Sequence, residues 1–294
     1  MNINPVLLKE MRVRMRGWRA AGIIILYLLV LTLVTVLVMY ESYSNIYTST
    51  IDPSRTVGTY TILALIQFIL ILFVAPALTS GAISGEREKQ TLDLLLCTKL
   101  PTRTIILGKL LASMSQIILL IIASLPIFSV VFLFGGISAS EVAQLFAFYI
   151  VTAIAAGSIG IFYSSHLKRT TASTVLTYGT GAFMILGTLL IAYFYIGIFF
   201  RWDYKGFFPL LYTNPMVGFA SLLTEQFGYA GGSLNFLPGM SVANTANLKG
   251  ISPWIINIIF DIVLTIVLIV LSARKINPVK RKLRLFRGKN KTEI

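Results

Sequence analysis

Four consecutive charged residues interrupt one of the most apolar parts of this 294-residue chain. They are Glu86, Arg87, Glu88 and Lys89, and they lie in the stretch Ser84–Pro101, which reads SGEREKQTLDLLLCTKLP. Long apolar runs flank the stretch on both sides. Because a connection between two such runs needs only a few residues, this insertion indicates a contact with something else.

The same stretch has the pattern of a short amphipathic helix over residues 85–97. Ser84 is a candidate N-cap, and Glu86 and Glu88 place negative charge in the first turn, where the helix dipole favours it. One apolar face is formed at spacings of three and four, and Pro101 ends the element. The residues of that face are Leu92, Leu95 and Leu96.

No catalytic or nucleotide-binding constellation is visible elsewhere in the sequence. Gly108-Lys109 is followed by Leu110 and lacks a glycine five residues upstream, so it is not a phosphate-binding loop. His166 is the single histidine and Cys97 the single cysteine, which excludes an internal disulfide and a CxxC metal site. We therefore predict no catalytic residue, metal or cofactor in this chain.

The composition is that of a membrane protein. Hydrophobic residues make up 56% of the chain and charged residues 12%, with a mean hydropathy of +0.83. A soluble domain carries roughly 25% charged residues. The first apolar run is longer than a signal peptide requires and no cleavage site follows it, so we read it as a retained anchor.

Apolar windows long enough for a hydrocarbon core of about 30 Å predict an all-α protein with six transmembrane helices. Pro126 is expected to kink the third helix or to end its regular part. The predicted spans cover residues 20–40, 59–83, 104–134, 142–165, 171–200 and 253–273.

The basic residues are distributed unequally between the two sides of the membrane. Of the 25 Lys and Arg residues, 21 fall in residues 1–19, 84–109, 166–170 and 274–294, all on one side. By the positive-inside rule that side is cytoplasmic, so both termini face the cytoplasm. The excess of basic residues, including the tail 274–294, then fixes the orientation in the membrane and contacts anionic lipid headgroups. We therefore predict no nucleic-acid binding.

Residues 1–19 have an apolar stripe beside a basic one, which predicts an interfacial helix on the membrane surface. A simple basic flank of the first span is the alternative. The apolar positions are Leu8, Met11, Met15 and Trp18, and the basic positions are Lys9, Arg12, Arg16 and Arg19.

The longest predicted external loop covers residues 201–252. Within it, Asn214-Pro215 begins and Gly228 ends a predicted capped amphipathic helix. We expect this helix to act as a lid or as a re-entrant element at the outer face.

Two polar residues lie within the last predicted span. Asp261 and Asn257 are one helical turn apart, and an ionisable group at membrane depth costs about 2.5–3.5 kcal/mol on insertion scales. They are candidates for a transport path. The alternative is a hydrogen bond to a neighbouring helix or a position near the interface.

The stretch Ser84–Leu111, SGEREKQTLDLLLCTKLPTRTIILGKLL, closely resembles the first cytoplasmic loop of ABC-2 type transporter permeases. The opening NPVLLKE is similar to the N-terminal interfacial helix of that family, and six spans with a long loop before the last match its topology. The family usually has Gly where this chain has Gln90.

The resemblance implies a permease subunit without its own ATP site. In the family the loop is a coupling helix that docks on a separate ABC ATPase carrying Mg-ATP, and two identical or homologous permeases enclose an export path. The substrate would be hydrophobic or amphipathic, such as a drug, a peptide or a lipid-linked molecule, and the location a bacterial cell membrane. The implied coupling residues are Gly85, Glu86, Arg87, Glu88, Lys89, Thr91, Leu92 and Leu95.

Three other functions compete with this reading. A secondary transporter should show several intramembrane charges and a repeat of broken helices, and only Asp261 is plainly intramembrane here. A membrane-embedded enzyme would need paired catalytic residues. A scaffold or sensor subunit would have no transport path at all.

Overall fold

The structure, a computed structural model, describes residues 18–44, 53–92, 97, 101–133, 136–200, 208–228 and 251–276. These residues form helices joined by short turns and connections and include no β-strand. In chain order the elements are α1 (Trp18–Ser44), α2 (Pro53–Thr79), α3 (Ser84–Glu88), α4 (Thr102–Ala123), α5 (Leu125–Leu133), α6 (Ala139–His166), α7 (Thr170–Ala182), a π-helical turn (Phe183–Gly187), α8 (Thr188–Phe200), a 3₁₀ turn (Pro209–Thr213), α9 (Pro215–Phe227) and α10 (Pro253–Ile276).

Six helical segments are long and apolar enough to cross a membrane, as predicted. They are Ala21–Tyr40, Thr56–Glu88, Thr104–Leu133, Ala139–His166, Thr170–Phe199 and Pro253–Ile276. The chain is therefore a multi-pass membrane protein. Its predicted interfacial helix lies outside the described residues except for Trp18, which is exposed, and Arg19, which both belong to the start of α1. The last span continues to Ile276, three residues into the predicted tail.

We call the end of the bundle where α2, α6 and α10 finish and α4 and α7 begin the basic end. The predicted break at Pro126 is confirmed near the other end. There α4 stops at Ala123, and the Ser124 hydroxyl donates to the carbonyl of Ile121 before α5 begins.

The bundle is built around α6, its most buried span. Small residues on α6 allow α2 and α4 to approach closely. A Cβ atom at Gly160 would lie 2.1 Å from Oγ1 of Thr79, and one at Gly157 would lie 2.5 Å from Cε of Met114. Glycine is therefore required at residue 160, as in other close helix contacts within membranes, whereas at residue 157 the flexible end of Met114 can move aside.

Aromatic rings fill the bundle where α2, α6 and α9 meet. The ring of Phe219 stacks on that of Phe68 with centroids 4.6 Å apart, and Tyr149 lies 6.4 Å from Phe219. The Tyr149 hydroxyl donates to the carbonyl of Ala64 at 2.7 Å. All three rings are fully buried, so α9 belongs to the core.

The helix predicted after Asn214 forms, and it packs inside the bundle, as a re-entrant element would and a lid on the surface would not. Oδ1 of Asn214 accepts from the backbone N–H of Met216, and Gly228 ends the helix with a φ of 59°. Asn214 itself contacts Ile185 and Thr188, near the middle of the fifth span. Irregular backbone at that depth is tolerated because protein surrounds it.

Candidate functional site

The charged stretch begins as a short helix in the elbow between α6 and α7. Ser84 is not the N-cap that its sequence position suggests, because that position is occupied by Ile83. The Ser84 side chain is buried, and its hydroxyl bonds to the carbonyl of Ser80 and to the hydroxyl of Ser164. Ser164 Oγ also accepts from the backbone N–H groups of Ile83 and Ser84 at 2.8 and 2.9 Å. These bonds fix α3 to the end of α6.

The predicted continuous helix over residues 85–97 is wrong, because α3 ends at Glu88. Gln90 has a φ of 58°, a left-handed conformation that cannot continue a right-handed helix. The backbone N–H of Thr91 turns back to the carbonyl of Glu86 at 2.9 Å. Leu92 follows as a buried residue, whereas Leu95 lies outside the described residues.

Arg87 binds the end of α6. Its guanidinium donates to the carbonyl of Leu167 at 2.7 Å and to the carbonyl of Ser165 at 3.2 Å. The last carbonyls of a helix have no partner within the helix and carry the negative end of its dipole. The Arg87 guanidinium supplies hydrogen-bond donors for the carbonyls and a positive charge for the negative end of the dipole.

Glu88 binds the beginning of α7. Its Oε1 accepts from the backbone N–H of Thr170 at 2.8 Å, and both carboxylate oxygens accept from the Thr170 hydroxyl. The first N–H groups of a helix lack internal partners and carry the positive end of its dipole. Two successive residues of opposite charge therefore match the two helix ends that meet at this elbow.

Glu86 reaches a third helix. Its Oε1 lies 3.1 Å from Nζ of Lys109 on α4, and its Oε2 accepts from the Thr91 hydroxyl. The Lys109 side chain is only 3% exposed and that of Glu86 is 32% exposed. Since a buried charge needs a partner, the Glu86 carboxylate helps a lysine to lie inside this end of the bundle.

Three of the four motif charges are therefore bound within the chain, each to a different helix. Lys89 is the exception, because its side chain forms no hydrogen bond or ion pair with any described residue and is exposed. At Gly85 a Cβ atom would lie 3.7 Å from the Thr170 side chain, an ordinary van der Waals contact, so the packing does not require glycine there. We call residues 84–91 the coupling segment.

The sequence as a whole matches a known protein family. The family model described as ABC-2 family transporter protein matches residues 4–273, nearly the whole chain. This chain belongs to the ABC-2 transporter family. No curated protein matches it. The ABC-2 assignment makes the chain a membrane-spanning transporter component, a class in which the transmembrane subunit is generally not catalytic.

The two polar residues of the last ABC-2 span face the bundle interior. Nδ2 of Asn257 donates to the carbonyl of Tyr212 at 2.8 Å, and a Cβ atom at Gly218 would lie 2.6 Å from Oδ1 of Asn257. Asn257 therefore holds the re-entrant element against α10. This contact corresponds to the alternative given in the sequence analysis, in which Asn257 forms a hydrogen bond within the bundle and does not line a transport path.

Asp261 lies one turn further along, 2% exposed, and faces Thr152 of α6. Thr152 and Asp261 are close enough to interact, but neither Oδ2 of Asp261 nor Oγ1 of Thr152 has a hydrogen bond of 3.5 Å or shorter to a described residue. The structure thus places Asp261 between two helices of one subunit, and its contribution to a path stays a prediction.

The sequence analysis did not predict the π-helical turn in the fifth span or the contact of Asn214 with it. Nδ2 of the fully buried Asn214 donates to the carbonyl of Ile185 at 2.9 Å and to Oγ1 of Thr188 at 2.8 Å. Asn214 therefore caps α9 and fastens it to the turn Phe183–Gly187. A π-helical turn leaves no composition signal, and such turns occur frequently at functional sites.

Proposed function

We propose that this chain is the permease subunit of an ATP-driven exporter, moved by a separate ABC ATPase that docks at the basic end. The coupling segment carries this proposal. It contacts the end of α6 through Arg87, the start of α7 through Glu88 and α4 through Glu86. A force applied there reaches three spans through direct contacts.

The proposal includes the orientation expected from the basic residues. The basic end faces the cytoplasm of a bacterial cell, where Mg-ATP is available to the ATPase, and α9 lies toward the outside. Labelling of intact cells in a Cys97→Ser background tests this arrangement. A cysteine replacing Ser233 should react with an impermeant reagent and one replacing Lys291 should not; the reverse pattern would contradict the orientation.

Two copies of the chain, or this chain and a homologue, pair around the export path. The outward-facing side chains of the described spans are mostly apolar, including Phe183, Phe194 and Phe199 on the fifth span. Such surfaces suit lipids, a second permease and a hydrophobic or amphipathic substrate. A drug, a peptide or a lipid-linked molecule has this character.

The decisive experiment isolates the tagged chain from its native membrane and asks whether an ATPase accompanies it. We expect a retained ATPase and a movement of the spans when Mg-ATP binds. Spin labels at Leu107 on α4 and Val175 on α7, both exposed, report that movement in a Cys97→Ser background. Their separation should change with Mg-ATP.

Arg87→Ala tests whether the coupling segment transmits the movement. It removes the two contacts of the Arg87 side chain with the end of α6 and leaves those of Ser164, so hydrolysis should continue while the change in label separation is reduced. Arg274→Ala, an exposed basic residue at the end of α10, is the matched control and should behave as the wild type. Absence of any ATPase from the wild-type preparation would overturn the proposed function.

A further inference from the structure

We infer that the ATPase recognises a basic docking face formed by Lys89, Gln90, Lys168 and Arg169, and that its complementary surface is acidic. This inference rests on the proposed function and assigns the charges that would make the contact. It differs from a contact through the carboxylates of the motif, Glu86 and Glu88.

The first step is to separate bound charges from available ones. Glu86 is paired with Lys109, Arg87 with two carbonyls, and Glu88 with Thr170. A partner that used these groups would have to break contacts that hold the segment in place. They are therefore part of the support of the docking face.

The second step identifies what remains on the surface. Lys89 and Gln90 are exposed at the tip of the coupling segment, and Lys168 and Arg169 are exposed in the turn between α6 and α7. None of the three cations forms a hydrogen bond or ion pair with a described residue. Lys89 lies within electrostatic range of Glu86, whose carboxylate Lys109 already neutralises.

The third step is that the two tips form one surface. Arg87 donates to the carbonyl of Leu167, directly before Lys168, and Glu88 accepts from Thr170, directly after Arg169. The two loops are thus fastened together on both sides of the cations. A fixed arrangement of charges suits a partner with a fixed complementary surface.

The backbone at Gln90 is an independent observation at the same place. A non-glycine residue at a φ of 58° is strained, and such strain is concentrated at functional sites. The Gln90 side chain is exposed at this turn and can form hydrogen bonds. A glycine would relieve the strain but would have no side chain to offer. Attraction to lipid headgroups would require neither this side chain nor the fixed loops, so we favour a protein partner.

The test measures how much ATPase stays with the permease in nanodiscs of neutral lipid as salt is raised. The test variants are Lys168→Glu with Arg169→Glu and the same pair with Lys89→Glu added, and the control matched to the pair is Arg274→Glu with Lys275→Glu at the end of α10. We expect the test variants to retain about tenfold less ATPase, since like charges facing each other disfavour association. The control should retain the wild-type amount.

Salt should weaken wild-type retention between roughly 0.1 M and 1 M, as the Debye length falls from about 10 Å to about 3 Å. A variant with Lys89→Gln, Lys168→Gln and Arg169→Gln should show a smaller dependence on salt. Thermal melting of each variant verifies that the bundle is intact.

Retention equal to wild type in the reversed variants would overturn the inference while leaving the proposed function standing. So would an equal loss in the control. If the reversed variants lose ATPase only when the nanodiscs contain anionic lipid, the basic docking face binds lipids, and the inference would be overturned as well. A wild-type chain that retains no ATPase would contradict the proposed function itself.

Discussion

The carboxylate of Glu88 caps a helix that begins 82 residues later in the chain, by accepting the backbone N–H of Thr170 at 2.8 Å. The Thr170 hydroxyl donates to the same carboxylate, so the bond is doubled. The motif residue thereby fixes where α7 starts relative to α3. Changes at Glu88 should consequently be felt in α7.

Replacing Glu88 with Ala should lower the free energy of unfolding by about 1 kcal/mol, as loss of a helix cap does. Glu88→Gln keeps an acceptor and should lose less. Hydrogen exchange of the first amides of α7 and thermal melting in detergent measure the effect. Lys89→Ala is the control, and an equal effect of this change would show that the Glu88 contact contributes nothing.

Gln90→Gly should stabilise the chain slightly. The left-handed conformation costs a non-glycine residue about 1–2 kcal/mol, and glycine gives back roughly 0.5–1 kcal/mol through its more flexible unfolded state. Lys89→Gly, at an ordinary φ of −79°, should instead destabilise. The two melting temperatures should move in opposite directions; a decrease for both would contradict the strain at Gln90.

Replacing Asn214 with Leu should be among the most damaging single changes in the chain. It leaves the carbonyl of Ile185 and the N–H of Met216 without their side-chain partner, and each buried unsatisfied group costs about 1–3 kcal/mol. Asn214→Ser retains the cap and should lie between Leu and wild type. Thermal melting ranks the wild type, Asn214→Ser and Asn214→Leu. A wild-type melting temperature for Asn214→Leu would show that Asn214 does not hold α9 to the π-helical turn.

Gly160→Ala and Gly179→Ala should differ sharply although both lie within spans. The new methyl at residue 160 collides with Thr79 and with the backbone of Ser80, an overpacking that costs about 1–3 kcal/mol. At residue 179 nothing lies within 4 Å, and alanine is the better helix former by about 1 kcal/mol. Expression level and melting temperature should fall for the first variant and hold or rise for the second.

Asp261→Asn should retain stability and ATPase association. The amide has the shape of the carboxylate but no charge to bury, and Oδ2 of Asp261 has no partner among the described residues. Export in membrane vesicles is the informative measurement. Loss of export in a variant with a wild-type melting temperature would establish that Asp261 belongs to the path.

The sequence predicted several features whose signal is local, although the N-cap at Ser84 and the helix over residues 85–97 were wrong. Twenty-residue apolar runs predicted the spans, Pro126 predicted the break after Ala123, and Asn214-Pro215 with Gly228 predicted both ends of α9. Each of these signals acts within one helix and needs no knowledge of its neighbours.

Contacts between distant residues were not predictable in the same way. The four charges of the motif look equivalent along the chain, yet Glu86, Arg87 and Glu88 bind three separate helices while Lys89 is exposed. Their partners lie 23 to 82 residues away in the sequence. The burial of α9 was hidden similarly, because its apolar face would suit a lipid surface as well as the stacked ring of Phe68.

The π-helical turn Phe183–Gly187 has a consequence for how the length of the fifth span can vary among homologous sequences. A π turn holds one residue more than an α turn, so deleting a single residue there would close the widened turn into a regular α-helix, with α8 keeping its facing. Closing the turn would shift Ile185 and Thr188, the two residues that Asn214 binds at that junction. When homologous sequences are aligned, the additional residue in the fifth span and an asparagine at the start of the re-entrant helix should be gained and lost together.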